Sequence, residues 1–434
     1  MISIGVIGGG ASGMVAAIAA AKNGAKVTII EQKERLGKKI LSTGNGRCNL
    51  TNEVMEAECF YGENVTCVTD VLKQFGYKDT LNFFEDLGVL TKSKNGYFYP
   101  RSEQATAVVD ALEMEIKRLG VECFLLTSVK EIKKSKKGFQ VYAIEKKIVN
   151  QINEKNNVKK AKKTKFTEFI EKDIKFSFDK IILAVGGKAA SVLGSDGSGY
   201  TFAKSFGHSL SPVVPSLVQL RSGDDSFKKL AGIRTEGTVS IFVDGKFAAS
   251  DSGEIQLTDY GISGIPVFQV SRFASIGLYE QKQVIAFIDF VPFCSENEFR
   301  DMLLNRLEKW SNNTIEEYLQ GIFNKKMIPV FLDKMNIKHY QKVKDIPQKW
   351  FCDFAVFCKN YKIDIIGTNS FEQAQVCAGG VRTCEIDHNT MESKFVNGFY
   401  MTGELLDVDG ICGGYNLQWA WATGFIAGCS ASGS

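Results

Sequence analysis

The chain opens with an apolar run over 2–7 that ends in Gly8-Gly9-Gly10-Ala11-Ser12-Gly13. An alanine-rich stretch, 14–22, follows at helical density, then Asn23-Gly24 and a second apolar run, 25–30, closed by Glu31. A buried strand, a glycine turn, a helix and another buried strand make the opening unit of a doubly wound α/β sheet. Further on, the pattern predicts helices over 65–76, 78–87 and 105–119. It predicts strands over 121–126, 128–133, 138–144 and 175–178, a buried strand over 180–185 and a helix over 201–206. From 209 to 292 the rhythm changes to short alternating runs, such as 238–243 and 284–289, which predict an inserted antiparallel barrel or sandwich. Apolar positions at period 3.6 over 296–307, 314–323 and 329–335 predict a helical subdomain. The chain then returns to a central strand, 398–404, an acidic turn, 405–410, and a helix over 417–428 launched from Gly413-Gly414.

Composition narrows the class. With 44% hydrophobic and 24% charged residues, the 434-residue chain has the balance of a soluble globular protein of two or three lobes. The net charge of +4 is local in origin. Eight lysines and one acid, Glu154, lie between 146 and 165, so the remainder is slightly acidic and a globally basic nucleic-acid binder is not expected. The lysine-rich excursion, 146–172, reads as a solvated hairpin tip or partly disordered loop. Eleven cysteines without a CxxC pair, and only His208, His339 and His388, give no metal-type spacing, so no metal is expected. The first residues lack a basic signal-peptide region and no run of about 18 apolar residues occurs. Free thiols then suit a cytoplasmic protein without a membrane partner.

The opening turn carries the first candidate chemistry. Gly8 and Gly10 let a backbone approach a pyrophosphate, the helix beginning near Ala11 and Ser12 presents free N–H groups to it, and Gly13 permits close helix–strand packing. Glu31, at the end of the second strand, suits the ribose hydroxyls and disfavours a 2′-phosphate, so the nucleotide is FAD or NAD. Gln32 beside it, and Ala184, Gly186 and Gly403 after the other buried strands, count as further nucleotide-facing positions. Val129 stands where a backbone amide could meet an adenine. Residues 32–52 form a polar, glycine-punctuated stretch containing Gly46, Arg47, Cys48 and Asn49, which suits a longer cofactor than NAD. No second strand–glycine–helix–acid unit is visible in 200–380, so NAD(P)H, where used, is a transient electron donor.

These motifs, with GGGASG at 8–13, RLGKKILSTGNGRCNLTN at 35–52, YPRS at 99–102, GSDGSGY at 194–200, LTDYGISG at 257–264, GGV at 379–381, TMESK at 390–394 and TGELLDVDGICGGYNLQWAWATG at 402–424, resemble a family of bacterial FAD-binding flavoproteins. That family includes BaiN-type bile-acid reductases and aminoacetone oxidases, and the resemblance covers nearly the whole chain. It implies a discontinuous Rossmann-type FAD-binding domain (1–205 and 375–434) with an inserted antiparallel β-barrel substrate domain (206–293) and a small helical subdomain (294–374). By motif position it implies FAD contacts at Ser12, Glu31, Lys38, Val129, Glu404, Asn416 and Leu417. The helix start at Gly414 should direct N–H groups at the flavin carbonyl edge. Arg47, Cys48 and Asn49 should lie beside the ring system, and Tyr260 and Arg101 are candidate polar groups for a small-molecule substrate. Three functions follow: a flavin enzyme reducing an enone with NAD(P)H, an amine oxidase that forms peroxide, or a flavin-binding module acting on RNA or a protein partner.

Overall fold

The computed structural model describes residues 1–152 and 166–433. Six of the eight lysines in the basic stretch therefore lie outside the described residues. The chain forms two compact units, Met1–Val213 with Val376–Ser434, and Val214–Gln375.

The first unit is built on a five-stranded parallel sheet, ordered Phe399–Met401, Lys180–Leu183, Ser3–Ile7, Lys26–Ile30 and Glu122–Phe124. Its central strands are continuous apolar runs because helices cover both faces: Ile4, Val6, Ile29, Ile181, Ile182 and Leu183 are fully buried. A three-stranded meander, Thr127–Ser135, Gly138–Ile152 and Phe166–Phe178, extends the strands expected on either side of the basic stretch.

Two helices from opposite ends of the chain cross at backbone distance. The helix Ala11–Lys22 is sheathed by the C-terminal helix Tyr415–Ser432, and neither has a polar stripe, as suits elements buried on nearly every side. A Cβ at Gly424 would stand 2.3 Å from the Ser12 carbonyl oxygen, and one at Gly428 would stand 2.4 Å from that of Ala16. Gln418, fully buried on the same C-terminal helix, accepts from the Thr51 and Thr80 hydroxyls at 2.7 and 2.8 Å and donates to the Phe75 carbonyl at 3.0 Å. The Trp421 and Trp419 indoles donate to the carbonyls of Leu50 and Gly403. One helix thereby fixes residues 50–51, 75, 80 and 403.

A second buried polar knot lies in the same unit. The His208 imidazole faces Glu385 through Nδ1 at 3.0 Å and the Ser393 hydroxyl through Nε2 at 2.8 Å. Ser393 Oγ already accepts from the amides of Phe395 and Val396, so its proton goes to Nε2 and the imidazole is neutral with the proton on Nδ1. Burial holds His208 below its ordinary value of 6.5 despite Glu385.

The second unit is a closed six-stranded antiparallel barrel, resolving the choice between barrel and sandwich. Around it run Leu220–Ser222, Gly261–Gly264, Lys246–Thr258, Arg234–Val243, Val284–Asp289 and Tyr361–Thr368, which pairs back to Leu220–Ser222. Alternate residues Val239, Ile241, Ile255, Leu257, Ala286 and Ile288 fill its interior. Barrel and helices do not divide at 293: the sixth strand comes from beyond the helices, so barrel and helices share one core. Residues 265–279, placed among the alternating runs, are instead the helix Ile265–Tyr279, whose Pro266 sits in the first turn. Its apolar stretch reads locally as a strand, and Pro266 was the overlooked start signal. The helix Gln348–Lys359 was likewise missed. Among the described residues no helix is long and apolar enough to cross a membrane.

Two stability outcomes follow. Gln418→Leu leaves two hydroxyls and a carbonyl without their partner and should lower unfolding stability by about 1–3 kcal/mol, read from the denaturant midpoint; an unchanged midpoint would refute the hub. A histidine kept neutral contributes stability that is full above its unfolded pKa and is lost as pH falls through the folded one. The wild type should therefore weaken below pH 6.5 more steeply than His208→Asn, which lacks the titration. Parallel stability curves would contradict the assignment.

Candidate functional site

The first strand delivers the chain to Gly8, whose backbone has a φ of 98° and lies against the Ala184 carbonyl; a Cβ there would approach within 2.5 Å. At Gly13 a Cβ would meet the Gly8 carbonyl at 2.0 Å. Gly10 differs, with nothing within 4 Å of where its Cβ would stand. The turn is therefore packed on its inner side and open above Gly10. The N–H groups of Ala11, Ser12 and Gly13 lack intrahelical partners, since the first bond runs from Met14 N to Gly10 O. An open, positively polarised helix start suits a phosphate group.

Glu31 closes one end of this turn. Its two carboxylate oxygens accept from the Gly9 and Lys33 amides, both at 2.7 Å. Burial raises its pKa above the ordinary carboxylate value, opposed by these N–H bonds. Each oxygen keeps a second lone pair, as ribose hydroxyls require. Gln32 donates to the Gly194 carbonyl. Val129 lies on the meander opposite Ala143, at a register shift. Ala184 donates to the Ile7 carbonyl, and Ser195 stands against Gly186.

The opposite wall comes from residues 37–40 and 403–404. Gly37 donates to the Gly9 carbonyl at 2.8 Å, tying the loop to the glycine turn. From that loop Lys39 reaches Glu404 at 2.7 Å, and the other Glu404 oxygen accepts from the Cys377 amide at 2.9 Å. Gly403 abuts Ser12: a Cβ there would lie 2.8 Å from the hydroxyl. Lys38 turns the other way, to Glu34 at 2.9 Å. Motif position points to Lys38; the ion pair to Glu404 is made by its neighbour Lys39, which no local signal distinguishes.

At the far end the C-terminal helix begins at Gly414, packed on the Thr51 backbone. The Asn416 side chain closes back on Gly410 through two bonds, so Asn416 offers its backbone N–H, with those of Tyr415 and Leu417, at the helix start. Asn52 donates to the Gly413 carbonyl, so residues 44–52 are docked beside that helix start. Gly46 and exposed Arg47 form the rim of this loop, with Arg47 3.8 Å from Glu103. Cys48 is completely buried and its thiol is pushed up to about 12, so it is protonated at neutral pH and packs. Asn49 is buried and its Oδ1 has no partner among the described residues; nor does the Thr402 hydroxyl. Arg101 is exposed in the turn after the strand Tyr97–Pro100. Tyr260 belongs to the second unit, with the Arg221 guanidinium 5.7 Å from its ring centre. His388 bonds to the Thr383 carbonyl and flanks Asp70.

An open glycine turn, a ribose-ready carboxylate, a second helix start and two unpaired buried polar atoms fit an extended dinucleotide such as FAD. The family model of the HI0933-like protein Rossmann domain matches residues 2–155 and 143–430, and the chain belongs to that family. The 3-dehydro-bile acid delta(4,6)-reductase of Clostridium scindens is 48% identical over 434 residues, covering 100% of this chain and 99% of the relative. A ribosomal RNA dihydrouridine synthase of Haemophilus influenzae is 27% identical over 430 residues, 98% of each chain. In fold, the chain is similar to the 3-ketosteroid-delta4-(5alpha)-dehydrogenase of Rhodococcus jostii, at a TM-score of 0.50 and 14% identity over 100% of this chain and 97% of that one. This HI0933-like chain is an FAD-dependent oxidoreductase.

Lys39→Ala removes the cation beside the glycine turn and should weaken FAD retention about tenfold, the worth of one charge-assisted bond, whereas Lys38→Ala should leave it unchanged. Flavin fluorescence released on dilution measures both, and the reverse ranking would contradict the placement.

Proposed function

We propose that this protein reduces a carbon–carbon double bond conjugated to a ketone on a steroid of the bile-acid class, with NAD(P)H as a transient donor. The observation that carries the reading is the end-to-end 48% identity to a relative named as a 3-dehydro-bile acid delta(4,6)-reductase. Bound FAD supplies the hydride chemistry for an electron-poor alkene. The chain's own groups bind and orient. Ala11–Gly13 and Lys39 would hold the pyrophosphate and Glu31 the adenosine ribose. The N–H groups of Tyr415, Asn416 and Leu417 would hold negative charge at the flavin carbonyl edge. Cys48, buried and held as a thiol, packs beneath the loop. With a single glycine fingerprint, the donor has no domain of its own.

The dihydrouridine synthase relatives give a second reading. Uridine becomes dihydrouridine by saturation of a ring double bond conjugated to a carbonyl, so the reaction type is common to both names. The substrate class here follows the nearer resemblance.

Mixing the oxidised holoenzyme anaerobically with NADH, NADPH or aminoacetone should bleach the flavin with a nicotinamide donor and not with the amine. Bleaching by aminoacetone alone would replace the reductase by the amine oxidase.

A further inference from the structure

The turn between residues 94 and 97 arranges a set of side chains that the proposed function has not used. Asn95 and Gly96 both have positive φ, 52° and 82°, which makes the two-residue loop that matches the twist of a hairpin. It joins Thr91–Lys94 to Tyr97–Pro100, and the latter strand also pairs with Thr51-Asn52. Lys92 lies opposite Tyr99 and Lys94 opposite Tyr97. Directly opposed residues of an antiparallel pair share a face, so two phenols and two ammonium groups stand together. Phe98 and Pro100 take the other face, where Phe98 stacks on Tyr77 and Pro100 is buried.

The tyrosine face adjoins both segments that frame the flavin end of the site. The Tyr97 ring lies 2.7 Å from where a Cβ of Gly413 would stand, immediately before the C-terminal helix. The Tyr99 ring lies 3.7 Å from the corresponding point of Gly44, at the base of the loop carrying Arg47. Tyr97 remains 38% exposed although its ring rests on the backbone. Charge on this face is unbalanced. Glu103 takes Lys92 at 2.5 Å and Arg47 at 3.8 Å, while exposed Lys94 has no ion pair among the described residues.

A flat apolar body against two phenol rings, with an anionic group beside Lys94, is the ligand chemistry this face complements. We propose that the Tyr97–Tyr99 face is the substrate platform and that Lys94, supported by Arg47, selects steroids carrying a side-chain carboxylate over neutral ones. The inference rests on the steroid reading of the function and adds to it the residues that distinguish an acid from a neutral ketosteroid. Lys92 and Arg47 both face Glu103 and Arg101 lies in the turn beyond the strand, so the preference should depend first on residue 94.

Calorimetric titration of the oxidised FAD holoenzyme tests this without turnover. The probes are a 3-oxo-4-ene steroid acid, its methyl ester and NADH. The acid should bind more tightly than the ester, by about fivefold at low salt, with the advantage shrinking as salt rises. Lys94→Gln should abolish the advantage and Lys94→Glu should reverse it, with ester affinity unchanged in both. Tyr97→Ala should weaken acid and ester alike. Equal binding of acid and ester to the wild type would overturn the proposed selection while leaving the steroid reading intact. Loss of NADH affinity in Lys94→Gln, with the acid unaffected, would assign the cation to the donor nucleotide instead. Binding of neither steroid would overturn both the platform and the reading it rests on.

Discussion

Everything that frames the site depends on the backbone contact between the first and last long helices. Gly424 and Gly428 let the C-terminal helix lie on the carbonyls of Ser12 and Ala16, with no side chain between. At that distance a rotation of either helix produces overlap, because packed interiors lack the free volume to absorb it. The glycine turn at the start of one helix and the Gly414 start of the other are thus fixed on one scaffold, although some 400 residues separate them. Gln418 and the two indoles then transmit the position of the C-terminal helix to residues 50–51, 75, 80 and 403. A cofactor long enough to touch both helix starts therefore meets a prearranged surface rather than one it must order, which lessens the entropy lost on binding.

The electrostatics of that surface follow from the same closeness. Two helix starts present unpaired N–H groups to the expected diphosphate and carbonyl ends, and the long-range ion pair Lys39–Glu404 is largely shielded from water. Glu31, by contrast, sits at the end of the second strand, where burial works against its charge and the Gly9 and Lys33 amides sustain it. At Cys48 desolvation acts without a charged neighbour, and the thiol is pushed up to about 12.

How much was legible in the sequence depended on how local each signal was. The opening strand, glycine turn and acid at Glu31 are adjacent in the chain, and period and spacing sufficed to read them. The barrel was readable as alternation, yet its closing strand, Tyr361–Thr368, lies beyond a helical segment, and nothing local marks which distant strand completes a cylinder. The helix Ile265–Tyr279 reads locally as β structure because tertiary burial on several faces erases amphipathic period. In the site, Lys38 and Lys39 are indistinguishable by type, and only the fold shows that Lys39 reaches Glu404 while Lys38 turns to Glu34. The Asn95-Gly96 hairpin carries a clear local signal in its Asn-Gly pair. Asn416 falls in the first turn of the C-terminal helix, but that its side chain is spent on Gly410 is a three-dimensional fact.

The central claim is that this scaffold delivers hydride to a conjugated alkene, and the oxidative half-reaction isolates that step from the choice of donor. The holoenzyme would be reduced photochemically without oxygen and mixed with a 3-oxo-4-ene bile acid while flavin absorbance is followed. The account predicts rapid return of the oxidised spectrum with stoichiometric appearance of the saturated ketone. A flavin that stays reduced until oxygen is admitted would contradict it.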